Sequence, residues 1–385
     1  MDRKKILFLE QYSKISGGQK VLLSLLNGLK DYYDFHVVVP EKGDITKKFE
    51  DLKIEYITFP IGYYSIGKKT LFDIANYLVR LPYLIYRLIM LIKDKNIDLV
   101  YANGARTFVW GTIACTLTNT PMLWHLHSIF EKLLVRNICF FFGRFKIVKK
   151  IIAVSDCTRK PLSVLGDKIQ TIYNGIDTEI FYPGKKDNGL RNKFGGDDEF
   201  LVAVVGLVIE WKNQEDLIRA AEIITNKNNK KVKFLIVGDP LYQDDKGQTY
   251  KKKLQTLVNR LQLGDKFIFT GFRDNIAAIM RSLDVLVITS KDPDPCPLTL
   301  LEAMGTGLAV IATNFGGPAE IINDGRDGLL YTARDYKGLA DKILYLLEND
   351  EVRAKISQRA YSKIKKDFAQ TDYIKKIKTI VDTYA

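Results

Sequence analysis

The chain of 385 residues is 46% hydrophobic, 11% aromatic and 27% charged, the balance of a globular protein long enough for two domains or more. Its 27 Gly and 11 Pro are spread without period and nothing repeats at solenoid or propeller spacing, which excludes collagen-like, low-complexity and repeat classes. The formal charge is +13 and uneven: residues 1–185 hold 27 Lys and Arg against 17 Asp and Glu.

The sequence starts Met1-Asp2-Arg3-Lys4-Lys5, and the apolar run that follows, 6–9, lacks the length expected of a signal peptide. In the first half, residues 5–10, 35–39, 98–102, 122–125 and 151–154 read as strands, with helical patterns over 19–29 and 72–93. Residues 74–92 are the most hydrophobic stretch. Arg80, Pro82 and Arg87 interrupt it, so a buried or interfacial helix is expected rather than a membrane span. Residues 101–150 carry seven basic residues against Glu131 alone, and within 133–146 the basic residues alternate with aromatic and aliphatic ones. That pattern suits anionic lipid headgroups or a phosphorylated substrate; the competing reading is a core helix with solvated flanking charges. No recognition motif points to nucleic acid.

After the polar stretch 183–199 a second series of strands follows, over 200–205, 233–237, 267–270, 285–289 and 309–312, and the tail from 335 to 385 is helical in pattern. Strands alternating with helices are the signature of βαβ units. The expected class is α/β, with two doubly wound parallel-sheet domains facing each other across an interdomain cleft. Ligands of such sheets sit beyond the carboxyl ends of the strands, so the residues there are the ones to read for chemistry. Cys115, Cys139, Cys157 and Cys296 form no CxxC pair and no zinc-ligand spacing, as in reduced cytosolic chains.

Gly17-Gly18 follows the first strand and opens a helix, where free N–H groups favour a diphosphate; a plain tight turn is the simpler reading. The chain has neither G-x-G-x-x-G nor a P-loop, so a dinucleotide redox site or an ATPase site has no support. In the second half, Asp294 precedes Glu302 by eight positions across a strand-to-helix turn, and Leu298 and Thr299 begin the helix. Carboxylates accept hydrogen bonds from ribose or sugar hydroxyls, and the helix start between them favours phosphate. A second pair, Gly316-Gly317, opens another helix just before Glu320.

These motifs resemble the Glu-x7-Glu signature of retaining glycosyltransferases of family 4, which have the GT-B fold of two Rossmann-like domains. The likeness runs through Gly17-Gly18, Trp124-His125-Leu126-His127, Ala153-Val154-Ser155, Tyr173-Asn174-Gly175-Ile176-Asp177, Val205-Gly206 with Lys212, Val237-Gly238-Asp239, Thr270-Gly271-Phe272 and the 294–320 region. It implies an acceptor-side domain over 1–182, a nucleotide-sugar domain over 183–365, and a helix, 366–385, packed back onto the first. It also implies roles: Glu302 on the ribose, Lys212 on the diphosphate, the backbone around Phe272 and Arg273 on the base, and Asp294 on the donor sugar. Gly17 and Gly18 would close over the diphosphate, and His127 would lie near the donor sugar, with His125 the weaker candidate. Asn103, at a strand's carboxyl end, could face the acceptor or shape a turn. The chain departs from the pattern at Leu207, where an Arg is common, at Asp294, which is one methylene shorter than Glu, and at Pro297, which lacks an N–H.

The expected activity is therefore retaining, metal-independent transfer from a UDP- or GDP-sugar to a glycan or lipid-linked acceptor in cell-surface polysaccharide synthesis, with no resident cofactor. The expected place is the cytoplasm, peripheral on the inner face of the membrane. Three rivals stand beside it: a GT-A enzyme using Asp292-Pro293-Asp294 on a divalent ion, an epimerase or hydrolase of the same fold, and a noncatalytic subunit of a membrane assembly.

Overall fold

The computed structural model describes residues 3–62, 71–196, 198–227, 231–241 and 245–385, and the chain separates into two compact units. One takes residues 1–175 and 370–385, the other residues 176–369.

The first unit is built on β1 (Lys5–Glu10), β2 (Asp34–Val39), β3 (Glu55–Thr58), β4 (Leu99–Asn103), β5 (Met122–Leu126), β6 (Val148–Ala153) and β7 (Ile169–Thr171), all parallel, in the order β3-β2-β1-β4-β5-β6-β7. Its helices are α1 (Gly17–Leu29), α2 (Asp44–Asp51), α3 (Leu71–Lys95), α4 (Phe108–Thr118), α5 (Leu133–Gly143) and the short α6 (Asp156–Arg159). Ile6 to Leu9 of β1 are all fully buried, as continuous apolar runs must be in a sheet covered on both faces.

The second unit carries β8 (Phe200–Val205), β9 (Val232–Val237), β10 (Phe267–Gly271), β11 (Val285–Ile288), β12 (Ala309–Thr313) and β13 (Leu329–Tyr331), parallel in the order β10-β9-β8-β11-β12-β13. Its helices are α7 (Asn188–Phe194), α8 (Glu215–Lys227), α9 (Asp245–Arg260), α10 (Ile276–Ser282), α11 (Leu298–Gly305), α12 (Gly317–Ile321), α13 (Tyr336–Glu348) and α14 (Asp350–Asp367); α15 (Gln370–Tyr384) ends the chain.

The boundary falls at Gly175–Ile176, not at 182–183, because Ile176 is already tied to the second unit. Its N–H donates to the Phe368 carbonyl at 3.0 Å and it bridges to Ala369. The returning helix begins at Gln370, since α14 continues through Asp367. α15 packs on α1, burying Tyr373, Ile377, Ile380 and Val381, while the Tyr33 hydroxyl donates to Asp382. Gly28 of α1 makes the close approach possible: a Cβ there would sit 2.2 Å from Ile374 Cδ1.

Two helices of the first unit keep apolar faces outside. α3 buries Leu84, Leu88 and Ile92 but exposes Leu78, Val79, Tyr83, Tyr86 and Met90. Its residues 75–95 are long and apolar enough to cross a membrane by length and composition. α5 buries only Cys139 and Gly143, and Leu133, Leu134 and Phe141 are each more than half exposed. The core-helix reading of 133–146 holds for one face only, where Cys139 joins the core and Phe140, Phe142 and Phe145 pack against it.

Truncating the α15 contact tests the packing. Ile377→Ala should lower stability by about 2–4 kcal/mol, as for other buried Ile, while exposed Lys376→Ala should leave it unchanged; thermal denaturation of both variants decides.

Candidate functional site

In each unit the strand order reverses once, between β1 and β4 and between β8 and β11. At such a point the connections leave in opposite directions and open a crevice at the carboxyl ends of the strands. The chemistry-bearing residues gather at these two places.

In the first unit Glu10 and Asn103 face each other in register at the ends of β1 and β4, and both are fully buried. Glu10 Oε1 accepts from the Gln11 and Tyr12 N–H groups at 2.6 and 2.9 Å and from Gln19 Nε2 at 2.8 Å. Its Oε2 accepts from Asn103 Nδ2 at 2.6 Å. The Asn103 Oδ1 lies 2.8 Å from His127 Nε2, just beyond β5. Burial pushes the Glu10 carboxyl up to about 7, against the pull of these four donors. Burial also presses His127 down to about 4, so that its ring is neutral near pH 7. His125 is fully buried, with Nδ1 3.0 Å from the Tyr101 hydroxyl and its pKa held well below the usual range by burial.

Gly17 and Gly18 form the first turn of α1, where Gln19 Oε1 accepts from the Ser16 N–H at 3.2 Å. A Cβ on Gly18 would lie 3.5 Å from His127 Cγ, whereas one on Gly17 would face open space. The loop and His127 thus share one small region.

In the second unit, Lys212 closes a 3-10 turn, Glu210–Lys212, after β8. The turn is stitched to the end of β11: Thr289 Oγ1 donates to the Lys212 carbonyl at 2.6 Å and the Lys291 N–H to the Trp211 carbonyl at 2.8 Å. Lys212 Nζ pairs with the buried Asp294 carboxylate and sits 4.3 Å from the Trp211 ring centroid, a cation held by an anion and an aromatic face. The Asp294 carbonyl in turn accepts from the Gly317 N–H at 2.8 Å. Glu302 is buried on α11, and Leu298 and Thr299 are half-buried in its first turn, which Pro297 precedes without a side-chain cap.

The strand-end glycines complete the surface. Gly206, Gly238 and Gly271 have φ of +143°, +139° and +69°, conformations that L side chains rarely adopt. A Cβ on Gly238 would stand 1.9 Å from the Gly206 carbonyl oxygen. Asp239 spans the loops, its carbonyl accepting from the Val208 N–H at 3.2 Å and its Oδ2 from the Phe272 N–H at 3.2 Å. Phe272 and Arg273 are exposed, and Arg273 lines a shallow pocket with Leu190, Phe194 and Ile279.

Several sequence-predicted residues therefore come together: Lys212 with Asp294 in one unit, and Gly18, Asn103 and His127 in the other. Asn103, read as facing the acceptor or shaping a turn, is fully buried, with its amide bonded to Glu10 at one end and to His127 at the other. Asp294 is paired with Lys212 and buried while Asp292 is exposed, so the two are not presented as a matched D-x-D pair. Glu10 and Gln19 were not anticipated; the signal was an acid closing an otherwise apolar strand.

Two Rossmann-like units with these glycine loops and this carboxylate pair define a GT-B glycosyltransferase. Residues 15–180 match the model of Glycosyltransferase Family 4 and residues 188–363 that of Glycosyl transferases group 1. The chain belongs to this glycosyltransferase family. It is 26% identical to the UDP-Gal:alpha-D-GlcNAc-diphosphoundecaprenol alpha-1,3-galactosyltransferase of Escherichia coli, over 99% of this chain and 96% of that protein. It is 30% identical to the N-acetyl-alpha-D-glucosaminyl L-malate synthase of Bacillus anthracis, over 55% of this chain and 53% of that protein. The crystal structure of Anabaena HepE with UDP and glucose superposes with a TM-score of 0.83 at 26% identity, covering 99% of this chain and 100% of that one.

The glycine loop beside Asp294 yields a test. A Cβ on Gly317 would lie 2.1 Å from the Pro295 carbonyl oxygen, so Gly317→Ala should displace the 293–297 loop and cost about 1–3 kcal/mol. Gly264→Ala, where a Cβ meets nothing within 4 Å, is the control, and urea denaturation of the two compares them.

Proposed function

We propose that the protein is a retaining, metal-independent hexosyltransferase that moves a sugar from a UDP-sugar to a lipid-linked acceptor in cell-surface polysaccharide synthesis. The observation that carries this reading is the Lys212–Asp294 pair and buried Glu302 at the strand-order reversal of the second unit. A carboxylate such as Glu302 can accept bonds from two vicinal hydroxyls of a ribose, and Lys212 supplies the cation that a diphosphate needs. HepE, solved with UDP, and the E. coli relative, named for UDP-Gal, favour uracil over guanine as the base. The same relative's name supports a diphospho-lipid-linked sugar as acceptor.

In this reading the acceptor hydroxyl attacks from the side of the departing diphosphate, through an oxocarbenium-like transition state. Negative charge grows on the diphosphate as the glycosidic bond breaks. Lys212 gains interaction energy with that charge, and this difference between ground and transition state is what accelerates transfer. The leaving phosphate takes the acceptor proton, so no protein base is assigned. Asp294 orients the donor sugar.

The exposed apolar faces of α3 and α5, with Arg87 on α3 and Arg136 and Arg144 on or beside α5, support peripheral attachment to an anionic cytoplasmic leaflet. Apolar side chains entering the headgroup layer and cations meeting anionic lipid act together, so neither alone need be strong.

Calorimetric titration with UDP, GDP and their sugar conjugates tests the donor. UDP should bind saturably, and Glu302→Ala should weaken it about tenfold to a hundredfold, the scale of hydrogen bonds to a charged group. No nucleotide binding by the folded protein would sink the reading, and binding without donor cleavage in the presence of acceptor would turn it toward a noncatalytic subunit. Flotation with anionic vesicles at low salt tests the surface: the wild type should rise with the lipid, and Leu133→Asp/Leu134→Asp should stay at the bottom of the gradient.

A further inference from the structure

The proton on His127 is governed from a distance. A carboxylate cannot donate, so the side of the Asn103 amide facing ionised Glu10 must be its NH2 group, 2.6 Å away. The Asn103 Oδ1 then faces His127 Nε2 at 2.8 Å, and an oxygen can only accept. His127 Nε2 must therefore carry the hydrogen, and Nδ1 is left as an acceptor.

We propose that Glu10 is a positioning residue that, through the Asn103 amide, fixes His127 as the Nε2–H tautomer and so presents Nδ1 as an acceptor for a hydroxyl group. This deepens the glycosyltransferase reading, on which only the hydroxyl's identity as one of a sugar substrate rests. The chain of bonds has a built-in polarity. Glu10 Oε1 is held by three donors, the Gln11 and Tyr12 N–H groups and Gln19 Nε2, so the carboxyl group cannot turn over. Reversing the hydrogen-bonding character at Oε2 alone would force Asn103 to flip and His127 to move its proton to Nδ1.

Glu10→Gln does this. The three donors keep the amide oxygen of residue 10 at the Oε1 position, so its NH2 group points at Asn103. The Asn103 oxygen must turn to meet it, its NH2 then donates to His127 Nε2, and the ring hydrogen moves to Nδ1. Protonation of Glu10 at Oε2 has the same effect in the wild type. The groups facing Glu10 are neutral Gln19 from α1 and Asn103 from β4; among the described residues further out, Arg106 Nη1 lies 3.5 Å from the Gln11 carbonyl, Tyr101 bonds to His125, and the rings of His125 and His127 are neutral.

The chain has three histidines, His36, His125 and His127, so two-bond proton–nitrogen spectra of protein labelled at histidine resolve the tautomers, with His127→Gln assigning the signal. At pH 8 the wild type should show Nε2–H at His127 and folded Glu10→Gln should show Nδ1–H. Retention of Nε2–H in folded Glu10→Gln overturns the proposal. If Glu10→Gln fails to fold, the wild type decides: between pH 8 and 5.5, as Glu10 passes through about 7, His127 should shift toward Nδ1–H before its ring protonates near 4. Direct conversion of Nε2–H to imidazolium, with the Glu10 carboxyl carbon shift showing that Glu10 has already protonated, overturns it. In turnover, Glu10→Gln should lower kcat about tenfold, the scale of one hydrogen bond, with UDP affinity unchanged within about twofold. A kcat equal to that of the wild type despite an inverted tautomer removes the hydroxyl contact, and absence of turnover in the wild type removes the glycosyltransferase reading while the tautomer result stands.

Discussion

A parallel sheet must send its chain back over one face or the other between strands, and where the direction of travel reverses, two neighbouring strands end with nothing crossing above them. The strand orders of both units contain one such reversal. The rest of the molecule's chemistry depends on it. Glu10 and Asn103 meet because β1 and β4 are neighbours there, and Lys212 meets Asp294 because the loops after β8 and β11 leave the sheet side by side.

The two reversals are furnished differently. The second unit pairs opposite charges, with a lysine braced by a carboxylate and an indole ring. The first unit has a buried acid surrounded by neutral donors, whose burial and hydrogen bonds oppose each other and bring its carboxyl to about 7. One arrangement fixes a charge in place; the other fixes the direction of a row of hydrogen bonds. Both hold their groups by several contacts from different elements, which is how a site is preorganised without cost at the moment of reaction.

Central strands were legible in the residues because a strand buried on both faces has to be apolar throughout, as Val202 to Val205 and Val285 to Ile288 are. The strands that escaped, β3, β7 and β13, are sheet edges of four, three and three residues, where short length and a partly exposed face erase the pattern. Lys149 and Lys150 hid the first half of β6 in the same way. In the site, glycine pairs and the Asp294–Glu302 spacing were readable because they are local. The Glu10–Asn103–His127 row joins residues far apart in sequence, and only strand pairing brings them into line. The unit boundary moved to Ile176 for a similar reason, since its partner there, Phe368, lies 192 positions later in the sequence.

The return of α15 to α1 has a consequence during synthesis. The first unit is closed by residues 370–385, which leave the ribosome after all of residues 176–369. At about 5–20 residues per second, the groove on α1 that Ile377 and Val381 fill stays open for roughly ten to forty seconds after the seven-stranded sheet has emerged. The second unit, continuous in sequence, can fold within that interval. The nascent chain thus carries an apolar seam whose occupant is translated after the whole of the second unit, and a chaperone that shields this seam would serve the protein until α15 arrives.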